Sequence, residues 1–366
     1  MMERILAMNL DLLRSSKLLA LILGSLLIPL DLDGLRADQI IVSGGRNYED
    51  VTITGATYEQ VQFKLPGVST SQKVDADKVL QLVFSRESSS LARGRGAFEN
   101  GDWETAANSF KSATSMGDAL KKSSAMYMHG LSLLRWGDAD ASKYAAAISA
   151  LEAYLSEFEG KKDFYVPHAR MALSEAHRKA GNYSEAESAL SSLASGSLGR
   201  RWVLGARLGK AQSLLAQDKW PQSREEFSSV SNDSNASTDQ ICQAWIGYAS
   251  AQQGQKQWRQ AADTIRKQIL ETRNKEILAN TAARAHAWLV WGRSTEEQAG
   301  GDAGELQWAM IRYLRAAVMA SGGNGEVLAE ALYRAKELAK KQGDSERAES
   351  LTQRLKQVAP DSRWNK

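Results

Sequence analysis

The sequence predicts a mainly α protein: an α-solenoid of about seven helix pairs, preceded by a small all-β, barrel-like domain. Three observations carry that expectation. Apolar–polar alternation of period two is confined to residues 38–85. From about residue 88 helical periodicity takes over, with apolar residues at i, i+3, i+4 and i+7. Within this helical region a single phrase recurs, and its aromatic residues Trp103, Tyr144, Tyr183, Trp220 and Trp258 follow one another at intervals of 41, 39, 37 and 38 residues. Unrelated helices would not keep such a period, which is the mark of stacked supersecondary units.

The chain opens with an address. Residues 18–30 are almost pure hydrocarbon, and Arg14 and Lys17 stand just before them. A basic region ahead of an apolar run this short follows the plan of a secretory signal peptide, because a membrane-spanning helix needs about 20 residues. Leu35-Arg36-Ala37 places the expected cleavage after about Ala37, although Leu35 is large for its position. The expectation is export to the periplasm or cell envelope, with membrane contact only if this segment stays uncleaved. Removing residues 1–37 takes equal numbers of each sign, so the formal charge stays +3.

Residues 38–85 then read as strands. Short β-branched runs at 40–42, 51–54, 61–65 and 79–84 are separated by Gly, Pro, Asn and Ser turn signals, with a fifth, shorter strand at 72–74 and a helical turn at 75–78. Their order resembles SH3-like or Sm-like small barrels, in which closure protects the strand edges.

The recurring phrase is a Gly or Asp turn, an aromatic, a small residue three positions on, an apolar residue four further, and another apolar or small residue three after that. Its clearest copies are Trp103, Ala106, Phe110 and Ala113, then Tyr183, Ala186, Leu190 and Leu193. Tyr144, Ala147, Leu151 and Tyr154 form another, as do Trp220, Ser223, Phe227 and Val230, and Trp258, Ala261 and Ile265. A broken copy lies at Leu306, Ala309, Tyr313 and Ala316, and the last at Ser345, Ala348, Thr352 and Leu355, followed by Pro360. These residues resemble the tetratricopeptide repeat (TPR). In that family the small residue lets the paired helix approach and the aromatic closes the interhelix turn. The period here exceeds the family's roughly 34 residues, the first-helix glycine is clear only at places such as Gly94 and Gly130, and residues 137–142 and 299–304 read as insertions. The expected organisation is a signal peptide over 1–37, a β domain over 38–85, helical repeats over 88–360 and a tail over 361–366.

Chemistry is sparse. The composition is that of an ordinary globular chain, with 43% hydrophobic and 24% charged residues, and the charge has no single-sign blocks that would call for nucleic acid. The single cysteine, Cys242, excludes an intrachain disulfide or a multi-cysteine metal site and reads as a small buried side chain. His129, His168, His177 and His286 are the only histidines, none within metal-pair spacing of another, and no phosphate-binding glycine loop appears. No cofactor is expected.

The resemblance implies a non-enzymatic protein–protein interaction scaffold whose concave groove, built mainly by first helices, binds a partner protein or peptide. Candidate contacts are Arg170, His177, Arg207, Lys210 and Gln243. One alternative is a carbohydrate- or peptidoglycan-associated protein acting through residues 38–85. Another is an enzyme on a helical scaffold, which would need a carboxylate isolated in an apolar groove, such as Glu175.

Overall fold

A computed structural model describes residues 37–366 apart from Gly44, Ser197, residues 321–324, Asp361 and Lys366. The expected signal peptide, and most of the glycine-rich loop before residue 325, lie outside the described residues. Period-two patterning becomes five strands: β1 (Asp38–Val42), β2 (Tyr48–Ala56), β3 (Gln60–Lys64), β4 (Gln72–Asp75) and β5 (Val79–Val83), with a 3-10 turn at Ala76–Lys78 between the last two. Along β2, Val51 and Ile53 are buried while Thr52 and Thr54 are exposed, which is what alternation dictates when one face covers a core. The sheet is antiparallel with order β4-β3-β2-β1-β5, so β4 and β5 are its edges and no β4–β5 ladder closes it among the described residues. The buried Asp38 carboxylate accepts the Ile53 N–H at 2.8 Å and the Ser85 N–H at 2.7 Å, tying the first strand to the chain that leaves the module.

Seven helix pairs follow. First helices are α1 (Ser89–Glu99), α3 (Ala119–Trp136), α5 (Val166–Lys179), α7 (Arg200–Ala216), α9 (Thr238–Gly254), α12 (Thr281–Gln298) and α14 (Gly325–Lys341). Second helices are α2 (Trp103–Ala113), α4 (Lys143–Phe158), α6 (Tyr183–Ala194), α8 (Trp220–Ser231), α10 (Trp258–Ile265), α13 (Ala303–Ala320) and α15 (Ser345–Val358). A π-helical turn (Arg266–Leu270) and the short helix α11 (Lys275–Ala279) take up the extra length between the fifth and sixth copies of the phrase. They were not legible in the sequence. The expected insertion at 137–142 is a long interhelix loop, whereas at 299–302 the connection is nearly as short as the others.

The phrase now has a physical meaning. Two residues before the opening position of the second helix, the backbone turns left-handed at Gly101, Gly181, Asp218, Lys256 and Gly343. The next N–H then reaches back five residues to a first-helix carbonyl: Asp102 to Ala97, Asn182 to His177, Lys219 to Leu214, Gln257 to Gln252 and Asp344 to Ala339, all at 2.8–2.9 Å. This is the Schellman closure, which satisfies orphan carbonyls at a helix end and favours glycine at the left-handed position. Asp102 and Asp344 go on to cap the second helix through Thr105 N–H and Arg347 N–H.

The small residues Ala106, Ala147, Ala186, Ser223, Ala261, Ala309 and Ala348 are all buried, as are Phe110, Leu151, Leu190, Phe227, Ile265 and Tyr313 four positions on. Ser223 is tolerated because its hydroxyl donates to the Ala211 carbonyl at 2.9 Å. The aromatics Trp103, Tyr144, Tyr183, Trp220 and Trp258 are half-buried lids over the turns. First-helix glycines are commoner than the sequence pattern suggests. Besides Gly94 against Phe110 and Gly130 against Leu151, the glycines Gly209, Gly247 and Gly292 meet Leu190, Phe227 and Tyr313. Two of these face the preceding second helix, so they fall outside a register drawn within one pair.

Candidate functional site

First helices of neighbouring pairs pack on one another from α3 through α5, α7, α9 and α12 to α14, and second helices of neighbouring pairs do not pack to that extent. A stack in which one layer converges curves toward that layer, so the first helices build the inner, concave face.

Three of its first helices contribute a continuous aromatic strip. Tyr127 of α3 stacks on Tyr165 at the start of α5, with ring centroids 4.9 Å apart and planes 16° from parallel. His168, one turn further along α5, packs its edge against Trp202 of α7 at 4.7 Å and 80°. The guanidinium of Arg201 lies 5.2 Å over Trp202 and donates 2.7 Å to the Asp77 carbonyl of the β module. Burial pushes the Tyr127 phenol up to about 12, and its hydroxyl bonds no protein group among the described residues. Burial, helped by the Arg201 charge, pushes His168 down to about 4, so the ring is neutral near pH 7.

The strip ends where the β module docks. The chain entering α5 supplies Phe164, which is 2% exposed and sits in the core of the β module. Asp163 forms a β-bridge with Thr57, Tyr58 N–H donates 3.1 Å to the Lys162 carbonyl, and Lys162 pairs with Glu59 at 2.9 Å. The buried Asp163 carboxylate holds this joint by accepting from Ser123 Oγ at 2.7 Å, Tyr154 Oη at 2.5 Å and Tyr165 N–H at 3.0 Å.

Charged groups between first helices are already paired. Arg135 donates 2.8 Å to Glu175, which also faces Lys179 at 3.6 Å. Glu330 of α14 receives Arg293 of α12 at 2.8 Å and Arg334 at 2.7 Å, and Gln253 of α9 donates to Ser294 and the Val290 carbonyl of α12. Burial alone would raise the Glu175 carboxyl, but Arg135 and Lys179 beside it hold it below the usual range. A general acid needs the opposite shift.

The residues singled out in the sequence do not converge. Arg170 pairs with Glu159, with Nε at 2.9 Å, and reaches the Ala189 carbonyl of α6. Arg207 and Lys210 both reach across to α8, Arg207 to Ser229 and Lys210 to Glu226 at 2.6 Å. His177 is buried, its Nδ1 without a partner among the described residues, while Gln243 is exposed on α9. Sequence reasoning passed over Tyr127, Tyr165, His168 and Trp202 as partner contacts. A signal was present: Tyr127, His168 and Trp202 precede Tyr144, Tyr183 and Trp220 by 17, 15 and 18 residues, so three successive first helices carry an aromatic ring at nearly one offset. No group of His, Cys, Asp and Glu suited to a metal ion occurs among the described residues.

Fold and inner face together define a TPR-like α-solenoid with a five-stranded module docked on its flank. No family model matches the chain, and no curated protein does. Among solved structures it is similar to the C-terminal part of a TPR repeat-containing protein from Cytophaga hutchinsonii, at 14% identity and a TM-score of 0.37 over 75% of this chain and 96% of that one. It is also similar to the TPR2AB domain of yeast Sti1 in a complex with pHSP90, at 12% identity and a TM-score of 0.28 over 67% of this chain and 96% of that one. Neither likeness reaches a level that bears on what this chain does.

Proposed function

We propose that this chain is a non-enzymatic scaffold of the cell envelope that holds a segment of a partner protein along its inner face, on the half-buried rings of Tyr127 and His168, which rest against the buried Trp202. The observation that carries this reading is the strip itself: closely packed rings from consecutive first helices, one with a hydroxyl that bonds no described protein group, bounded on one side by the docked β module. Rings recognise a partner by apolar contact and stacking, while the paired charges around them keep the groove rigid. A peptide lying there adds backbone groups that the Tyr127 hydroxyl can bond. The paired state of Glu175 speaks against the enzymatic reading. Export rests on the basic and apolar pattern of residues 14–30, and among the described residues no helix is long and apolar enough to cross a membrane. Strand order, together with the 3-10 turn before β5, supports taking the module as an SH3-like or Sm-like small barrel.

Crosslinking and affinity capture from envelope extract, compared between the wild-type chain and a Tyr127→Ala/His168→Ala variant, tests the reading. Loss of a stoichiometric partner while the variant still melts cooperatively supports it, and a partner retained by the variant moves the site off the strip. One observation favours the second reading, carbohydrate binding by the β module: Leu80 and Val68 are 57% and 40% exposed there. Co-sedimentation with purified cell wall that is lost in Leu80→Ser would establish it.

A further inference from the structure

The sixth helix pair carries a second, chemically distinct surface. On α12, Trp288 and Trp291 stack with centroids 5.1 Å apart and planes 10° from parallel. Two arginines of α13 lie over them, Arg315 at 4.7 Å from the Trp288 ring and Arg312 at 4.3 Å from the Trp291 ring. One turn before Arg312 on the same helix, Trp308 is 54% exposed, one of only four large apolar side chains so exposed among the described residues.

The arginines differ from the cations around them. Arg293 and Arg334, on the first helices of this region, are bound to Glu330. Among the described residues neither Arg312 nor Arg315 has a carboxylate in ion-pair reach, and the one hydrogen bond between them is from Arg312 to Thr295 Oγ1 at 2.9 Å. Arg312 spends one N–H on Thr295 and Arg315 none, so each guanidinium keeps N–H donors of the kind that pair with a carboxylate. Burial lowers the Arg312 guanidinium, and the neighbouring Arg315 charge adds to this, partly countered by Glu305. An incoming anion would relieve both effects.

We propose that Trp308, Arg312 and Arg315, backed by the Trp288–Trp291 stack, form a docking site for an acidic amphipathic segment of a partner protein. Two carboxylates one helical turn apart on that segment pair with the two arginines, and an apolar side chain beside them covers Trp308. Arg312 and Arg315 are separated along their helix by about 4.5 Å, close to the rise between acidic residues at i and i+3 of a partner helix. A membrane surface is the weaker fit, since juxtamembrane recognition uses clusters of about four to eight basic residues and this patch offers two arginines. The site is separate from the inner strip and stands whether or not that strip binds a partner.

The test titrates the full-length chain with a synthetic sixteen-residue Glu/Leu amphipathic helix, read by tryptophan fluorescence and calorimetry, beside a Lys/Leu peptide of the same pattern and phosphatidylglycerol vesicles. Saturable binding of the acidic peptide and not of the Lys/Leu peptide is expected, weakened roughly tenfold or more in Arg312→Gln/Arg315→Gln and severalfold in Trp308→Ala. Arg315→Glu, at an exposed position, should abolish it with the melting temperature unchanged. The proposal is overturned if the wild type fails to bind the acidic peptide, binds it no better than Arg315→Glu does, or binds the vesicles in a way that Arg315→Glu abolishes.

Discussion

Gly247 of α9 lies so close to Phe227 of α8 that a Cβ at position 247 would stand 2.2 Å from the ring. The helices can meet at that distance only because the position has no side chain. Phe227 is 1% exposed and packed on all sides, so it cannot swing away. Gly247→Ala is therefore expected to destabilise the stack by about 1–3 kcal/mol, despite alanine's better helix propensity. Thermal melting followed by circular dichroism checks this. A gain in melting temperature, as propensity alone would give, would show that the contact yields.

Asp163 joins the β module to the helices. Replacing it with alanine leaves the Ser123 and Tyr154 hydroxyls without their buried acceptor. The expected loss is about 3 kcal/mol, since hydrogen bonds to a charged group are each worth about 1.5–3 kcal/mol. Limited proteolysis should then cut first between the β module and α5, releasing the module before the helices unfold. Simultaneous loss of module and helices would mean that the joint does not depend on this carboxylate.

Acid should weaken the fold through its buried histidines. Burial pushes His168 and His286 down to about 4 from the ordinary 6.5, with Arg201 and Arg293 adding to the effect and Glu330 opposing it at His286. Between about pH 4 and 6.5 the unfolded chain binds protons that the folded chain refuses, so stability rises with pH across that window and is lost as pH falls through it. The depressed Glu175 and Glu330 carboxyls act lower: their contribution is present above the unfolded carboxylate value and lost as pH falls through the folded one. Melting temperature at pH 7, 5.5 and 4.5 should fall stepwise, and a His168→Phe/His286→Phe variant should show a shallower slope above pH 4.5. An unchanged slope would place the acid sensitivity elsewhere.

Lys256 occupies the left-handed turn position, φ 58°, that Gly101 and Gly181 fill in other pairs. A side chain is strained there and glycine is not. Lys256→Gly is expected to stabilise by about 1 kcal/mol, seen as a higher melting temperature.

Much of this was legible in the sequence, because it is local or periodic. The alternation over residues 38–85 follows from a two-residue side-chain period, and the strands fell within one to three residues of where that pattern put them. The phrase from Trp103 to Ala348 marks helix-pair turns because five of them place a left-handed residue, a Schellman closure and a small contact at set offsets, and these constraints act within about fifteen residues. Gly209 and Gly247 were missed since their partners lie on the preceding second helix, outside the pair in which the phrase is read.

The functional surfaces belong to the other category. Arg170, Arg207 and Lys210 are polar residues on first helices, and nothing local distinguishes one that faces a groove from one that reaches its own second helix. Tyr127 meets Tyr165, and Arg312 meets Trp291, only after the helices pack. By itself the sequence determined the two architectures, the number of helix pairs and the side chains that pack them, because period and turn chemistry are properties of short stretches. Which rings share the inner face, where the β module docks through Phe164 and Asp163, and which arginines stay without a carboxylate were decided by tertiary structure alone, because each depends on residues far apart in the chain being brought within a few ångströms.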